Sequence, residues 1–241
     1  MRTALRTVLW VLVLTILLLG IPMLSGSIAD MFDYQAIDPD GSYAWISTHH
    51  IVQAVIFIIL IFLLMKFKSL DFGFGWGNVE VGRKYVLRFT LIFGAGSLVS
   101  HVLLLLTGSL QQFEYPLTAA NITGQLAFQL FLSGPSEELI FRAFAITMLA
   151  LVIRGRIFGG KISIPNMIAA IIFGLAHVSF SFDPLAAGYN PMQVILSVIL
   201  GIFYGDCYEK TKSMYYPMMM HSISNVIMVS LTVIATALFL R

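Results

Sequence analysis

Two carboxylates and a guanidinium stand inside an otherwise apolar run at Ser136-Glu137-Glu138-Leu139-Ile140-Phe141-Arg142. Ionisable groups are expensive at membrane depth, so a functional role is the default expectation for such a cluster. Glu138 and Arg142 are four residues apart, share one helix face, and stand in the favourable order of acid before base. Glu137 points about 100° away from that face. The expected division is that Arg142 neutralises Glu138, which becomes structural, while Glu137 is free to take a proton from water. Two later segments again place polar groups in apolar surroundings: Phe173-Gly174-Leu175-Ala176-His177 and His221-Ser222-Ile223-Ser224-Asn225. The same spacing sets Phe173 beside His177 and puts His221 and Asn225 on one face. An amide and an imidazole N–H aimed at one point form an oxyanion hole. Glu137 with His177 as a water-activating pair, and His221 with Asn225 as an oxyanion-stabilising pair, suffice to hydrolyse a peptide bond without a covalent intermediate. Taken singly, each motif has a structural alternative, an ion-pair staple or a hydrogen-bonding histidine. Three in order argue against that alternative. His49, His50 and His101 lack comparable partners in the sequence and are assigned structural positions.

The elements that must hold these groups are membrane helices. Of the 241 residues, 59% are hydrophobic and 11% charged, and the mean hydropathy is +0.90. Soluble domains carry about 25% charged residues, so the composition describes a polytopic membrane protein. A spanning helix needs about 20 mostly apolar residues. Spans are expected near 7–25, 48–66, 85–107, 125–153, 164–180, 192–208 and 214–239. The fourth is too long for one straight crossing, and Ser133-Gly134-Pro135 is expected to kink it, because proline removes a backbone donor. Seven or eight membrane helices in one all-α transmembrane domain over 1–241, with a catalytic core at about 130–230, is the expected architecture. The first span is expected to be a retained helix, because its apolar core exceeds the roughly 7–15 residues of a signal peptide. Counting along continuous helices places all four polar groups inside the membrane.

Charge orients the spans. Arg2 and Arg6 precede the first; Asp30, Asp33, Asp38 and Asp40 follow it without a base. Lys66, Lys68, Arg83 and Lys84 flank the next connection, Glu114 the one after, and then Arg154, Arg156 and Lys161. The Asp183 loop has no base, and Lys210 and Lys212 close the series. Basic and base-free connections alternate, which puts the amino terminus in the cytoplasm; Arg241 alone is on the wrong side. A net charge of +2 gives no case for nucleic acid, and the single Cys207 allows no internal disulfide. Gly73-Phe74-Gly75-Trp76-Gly77 lacks the Lys-Ser/Thr ending of a phosphate loop and reads as an interfacial turn with aromatic anchors. Asn121-Ile122-Thr123 matches a glycosylation sequon, a match frequent by chance.

The ordered set Glu137-Glu138…Arg142, Phe173…His177 and His221…Asn225 resembles the CPBP family of intramembrane proteases, which includes CAAX prenyl endopeptidases and Abi-type proteins. Its motifs are Glu-Glu-x-x-x-Arg, Phe-x-x-x-His and His-x-x-x-Asn, and every motif position matches. The resemblance covers roughly residues 130–230. It implies an all-helical membrane protease in which Glu137 and His177 activate water, His221 and Asn225 stabilise the tetrahedral intermediate, and Glu138, Arg142 and Phe173 support them. It further implies a membrane-anchored or prenyl-like peptide as substrate, within the lipid bilayer of a bacterial or archaeal cell. No cofactor is expected. Zinc is the less favoured alternative, since Glu137, Glu138, His177 and His221 are potential ligands but no His-Glu-x-x-His is present. A proton-coupled transporter and a non-catalytic immunity or chaperone factor are the competing functions.

Overall fold

The computed structural model describes residues 2–182 and 185–240. Asp183 and Arg241, both counted in the charge pattern, lie outside the described residues, as does the side chain of Arg2. The fold is all-α, with seven helical rods in chain order: α1 (Arg2–Ala29), α2 (Ala44–Phe67), α3 (Val79–Leu106), α4 (119–150), α5 (Ile164–Leu175), α6 (Pro191–Thr211) and α7 (Tyr215–Phe239). Five of them, α1, α2, α3, α6 and α7, are long and apolar enough to cross a membrane. Large apolar side chains such as Ile16, Phe62, Ile92 and Phe203 face outwards from these rods, as a lipid-facing surface requires.

The long fourth segment is one continuous rod rather than two crossings. Its α-helical pieces Ala119–Phe128, Gly134–Glu138 and Ala145–Ala150 are joined by π-helical turns at Gln129–Ser133 and Leu139–Phe144. Wide turns of this kind accommodate the missing N–H of Pro135 without ending the helix. All residues from Leu139 to Ile146 are buried, as expected of a central helix with neighbours on every side. Phe57 of α2 meets Phe144 edge-on at 5.1 Å, and the indole of Trp10 on α1 donates to the Met148 carbonyl at 3.0 Å.

The expected span over 164–180 is corrected. The helix ends at Leu175, and its 12 residues rise only about 18 Å, short of the roughly 30 Å hydrocarbon core. Beyond it, Ser179–Phe182 (β3) pairs antiparallel with Leu185–Gly188 (β4). Ser179-Phe180-Ser181-Phe182 alternates polar with aromatic residues, the two-residue period of a strand. A smaller hairpin, β1 (Arg156–Ile157) with β2 (Ile162–Ser163), precedes α5. Ser163 then caps α5 by accepting the Asn166 N–H, and Asn190 caps α6 by accepting from Met192 and Gln193. Gly174, Gly201 and Gly205 bring α5 and α6 close, with built Cβ atoms falling 2.5 Å from Val198, 3.1 Å from Ala170 and on the Asn166 amide. Small residues serve this purpose at helix contacts in lipid.

The connections sort by charge onto two ends. At one end Asn78 N donates to Thr211 O, Met214 N to Gly73 O, and Ser163 Oγ bonds Glu209. The connections around Lys68, Lys161 and Lys212 therefore meet. At the other end Asn121 Nδ2 donates to Asp40 Oδ2, Phe113 N to Thr236 Oγ1, and Gln112 to the Leu240 carbonyl. The glycine-rich turn is structural: Gly73 and Gly77 have positive φ, Gly77 lies against the Thr211 carbonyl, and Trp76 meets Tyr215 at 4.8 Å. Asn121 is 2% exposed, and its amide bonds Asp40 and the Pro116 carbonyl. The sequon is thus a buried staple.

Candidate active site

The polar centre is built on the middle of α4. Gly134 is the contact that allows it: a Cβ there would lie 2.8 Å from the Ser222 nitrogen and 3.2 Å from the Met218 carbonyl. The backbones of α4 and α7 therefore touch, and side chains one turn away on either helix meet. Asn225 Nδ2 donates to Ser133 Oγ at 3.0 Å, and His221 Nδ1 lies 2.7 Å from Glu138 Oε1.

Glu138 is fully buried, and its second oxygen pairs with Arg142 Nε at 2.9 Å. Arg142, 1% exposed, has its guanidinium carbon 4.5 Å from the centre of the Phe173 ring and 5.3 Å from that of Tyr204. Such stacking suits a delocalised, weakly hydrated cation. Phe173 also meets His177 edge-on at 4.9 Å and His221 at 5.9 Å. Tyr204 lies nearly parallel to His221 at 5.1 Å and bonds Ser224 Oγ through its hydroxyl at 2.8 Å. One aromatic from α5 and one from α6 thus clamp both the cation and the imidazole. Glu138 is accordingly more than the staple expected from the sequence: it also orients His221.

Glu137 has the opposite environment. Its side chain keeps 16% exposure, with His221 Nε2 3.7 Å from Oε2 and His50 Nε2 3.8 Å from Oε1. His177 interacts with it electrostatically from the end of α5. The His177 Nδ1 lies 2.9 Å from its own helix's Phe173 carbonyl, so that nitrogen carries the hydrogen and Nε2 has a free lone pair. Distances of 3.7–3.8 Å are too long for direct hydrogen bonds, so these contacts are electrostatic. Among the described residues, no three His, Cys, Asp or Glu side chains are grouped so as to hold a metal ion. Glu138 and the Nδ1 of His221 already satisfy one another.

The structure brings Glu137, Glu138, Arg142, Phe173, His177 and His221 into one cluster, with Asn225 tied to it through Ser133. It adds Ser133, Ser136, Tyr204 and Gln53, which the sequence did not assign to the site, and His50, which was expected to lack partners. The structural assignment of His50 is revised, because its ring bonds Ser136 Oγ at 2.7 Å and faces Glu137. The available signal was His50 and Gln53 three apart on one face of an apolar span, a pairing visible only against the helix they approach. Surface hollows beside Arg83, Lys84 and Tyr216 lie on the flank of α3, away from this cluster.

A half-shielded carboxylate ringed by imidazoles inside a membrane bundle is the layout of an acid–base hydrolytic centre. Residues 119–227 match the family model described as type II CAAX prenyl endopeptidase Rce1-like. That segment holds every residue of the cluster except His50 and Gln53 and is similar to CPBP/CAAX proteases, and five helices of the chain are long and apolar enough to cross a membrane. No curated protein and no solved structure was found to match the chain.

Proposed function

We propose that the protein is an intramembrane endopeptidase that hydrolyses a peptide bond in a membrane-anchored or lipid-modified substrate. Glu137 and His177 activate water. Glu137, through Oε2, takes a proton as the water oxygen attacks the scissile carbonyl, and the acquired proton passes to the departing amine. His177 presents its free Nε2 to the same water. Asn225 keeps one amide hydrogen beyond the one given to Ser133. His221 donates its Nδ1 hydrogen to Glu138 and turns Nε2 towards the pocket; as the imidazolium it carries a second hydrogen there, the second donor to the oxyanion. The observation that carries this reading is the partition of the two carboxylates, Glu138 consumed by Arg142 and His221 and Glu137 left facing three imidazoles.

The chemistry we propose is metal-independent, with zinc as the alternative. A prenyl-like peptide is the substrate class that fits the family match. Gathering of the basic connections at one end of the bundle supports a cytoplasmic amino terminus. The decisive comparison is membrane-peptide proteomics of cells carrying the parent or Glu137→Gln protein, with and without a chelator. Peptides released by the parent and missing from the variant, unchanged by chelation, are expected. Identical peptides from both would end the reading, and their loss on chelation would replace the metal-free mechanism with a zinc one.

A further inference from the structure

We infer that His50 is a positioning residue for the general base: its Nε2–H faces Oε1 of Glu137 and orients the carboxylate so that Oε2, on the α7 side, is the proton-accepting oxygen. This rests on the hydrolytic reading of Glu137 and adds a helix, α2, that lies outside the matched segment 119–227. His50 is 7% exposed and forms a buried polar trio with Gln53 and Ser136, with the His49 ring 5.2 Å away. Its Nδ1 has two neighbours, Gln53 Nε2 at 3.1 Å and Ser136 Oγ at 2.7 Å. The amide nitrogen can only donate. The hydroxyl can donate too, and Nδ1 is nearer to it than its other acceptor, the Ser133 carbonyl at 3.2 Å. Nδ1 is therefore the accepting atom, and in the neutral ring the hydrogen sits on Nε2. That is the nitrogen facing Glu137 Oε1 at 3.8 Å. Gln53 and Ser136 thus act through His50, fixing its tautomer as a carboxylate fixes the imidazole in other hydrolytic sites.

The consequence is that the two oxygens of Glu137 differ. Oε1 faces the His50 N–H on α2 at 3.8 Å, an attraction longer than a hydrogen bond. Oε2 meets His221 on α7 at 3.7 Å, the side on which Asn225 and the oxyanion donors lie. A carboxylate free to rotate about its last bond would present either oxygen to the water. One whose Oε1 is drawn towards the His50 N–H presents Oε2 to the attacking water, which is the pre-organisation that raises kcat rather than binding. Packing alone does not require a hydrogen-bond donor here, since the edge-on contact of His50 with Phe128 at 4.9 Å would be kept by a phenyl ring.

The test uses the full-length protein in detergent or liposomes with one cleavable lipid-modified reporter peptide. His50→Phe keeps the ring and removes the donor; kcat is expected to fall about 10–100-fold with KM within about twofold. His50→Gln restores an N–H near the Nε2 position, and most of the lost kcat is expected to return. Gln53→Leu, which frees the tautomer without touching Glu137, is expected to lower kcat by a smaller factor, about three- to tenfold. Parental kcat in His50→Phe overturns the inference, and so does a kcat in His50→Gln as low as that of His50→Phe at equal thermal stability. If His50→Phe does not accumulate, Gln53→Leu decides: reduced kcat with unchanged KM supports the inference, and parental kcat overturns it. Glu137→Gln run alongside separates the two levels. Cleavage by that variant ends the hydrolytic reading itself, whereas a dead Glu137→Gln beside a fully active His50→Phe removes only the role of His50.

Discussion

Two neighbouring residues on one turn of α4 illustrate how a membrane bundle assigns opposite tasks to the same side chain. Glu138 faces the packed side, where Arg142, His221, Phe173 and Tyr204 close around it and leave it fully buried. Glu137, one helical step away, faces the seam between α2, α7 and the end of α5, and keeps 16% of its side chain exposed. The packed side spends its charges on one another; the seam keeps a carboxylate whose nearest imidazole nitrogens stand beyond hydrogen-bond reach. A buried charge is tolerated when paired and hydrogen-bonded. Glu138 meets that condition through Arg142 and His221, whereas Glu137 has no partner nearer than 3.7 Å among the described residues, the contrast on which its proposed role as the base rests.

The sharpest way to break this contrast is to strand the packed carboxylate. Arg142→Ala leaves Glu138 buried with His221 alone, and removal of one member of a buried pair costs about 3–5 kcal/mol. A collapse of yield or a large drop in the thermal midpoint in detergent is expected; a stability equal to the parent would show that the pair is dispensable. Gly134→Val comes next. Its side chain would meet the Ser222 and Met218 backbone, forcing α4 from α7 at the level of Ser133–Asn225. Cleavage is expected to fall more than about tenfold, since displacement by about 1 Å can cost a hundredfold in rate. Full cleavage would contradict the claimed helix contact. Phe173→Leu removes the ring shared by Arg142, His177 and His221 and is expected to cost about 2 kcal/mol of stability, together with part of the activity. Gain or loss of activity without any stability change would mean that the ring serves the pocket alone.

The smallest effect lies far from the site. Burial would raise the carboxyl of Asp38, but its bonds to the backbone N–H groups of Ala44, Tyr43 and Ser42 prevail and hold it below its ordinary 3.8. A depressed folded value means that its contribution is present above about pH 4 and is lost as pH falls through the folded value. Asp38→Asn is expected to cost about 1 kcal/mol at pH 7, the scale of a lost helix cap. The gap from the parent should narrow towards pH 3. A gap constant across that range would refute the electrostatic part.

Much of the scaffold is legible in the chain because lipid imposes a simple rule, length and apolarity, on each crossing. The seven segments fall in order on α1 to α7, and the Pro135 region is irregular where a missing N–H requires it. The rule fails at 164–180, where apolar composition continues past Leu175 although the alternation of Ser179 to Phe182 switches the backbone to a strand. The three motifs lie on the rods that converge, because each pairs residues four apart along one helix or, for His177, just past its end. What stays hidden is every contact between helices. Glu138 with His221, Tyr204 with His221, Asn225 with Ser133 and His50 with Ser136 join residues 17 to 92 apart, and no local period encodes such a meeting. His50 is the instructive case: its span and its neighbour Gln53 are readable, its target is not.

The most direct measurement compares Glu137→Gln with Glu138→Gln in one preparation, recording the thermal midpoint and cleavage of a lipid-modified reporter peptide. Glu137→Gln is expected to melt with the parent and cleave nothing, while Glu138→Gln melts well below it. Parental cleavage by Glu137→Gln, or equal destabilisation by both, would contradict the assignment of the base to Glu137.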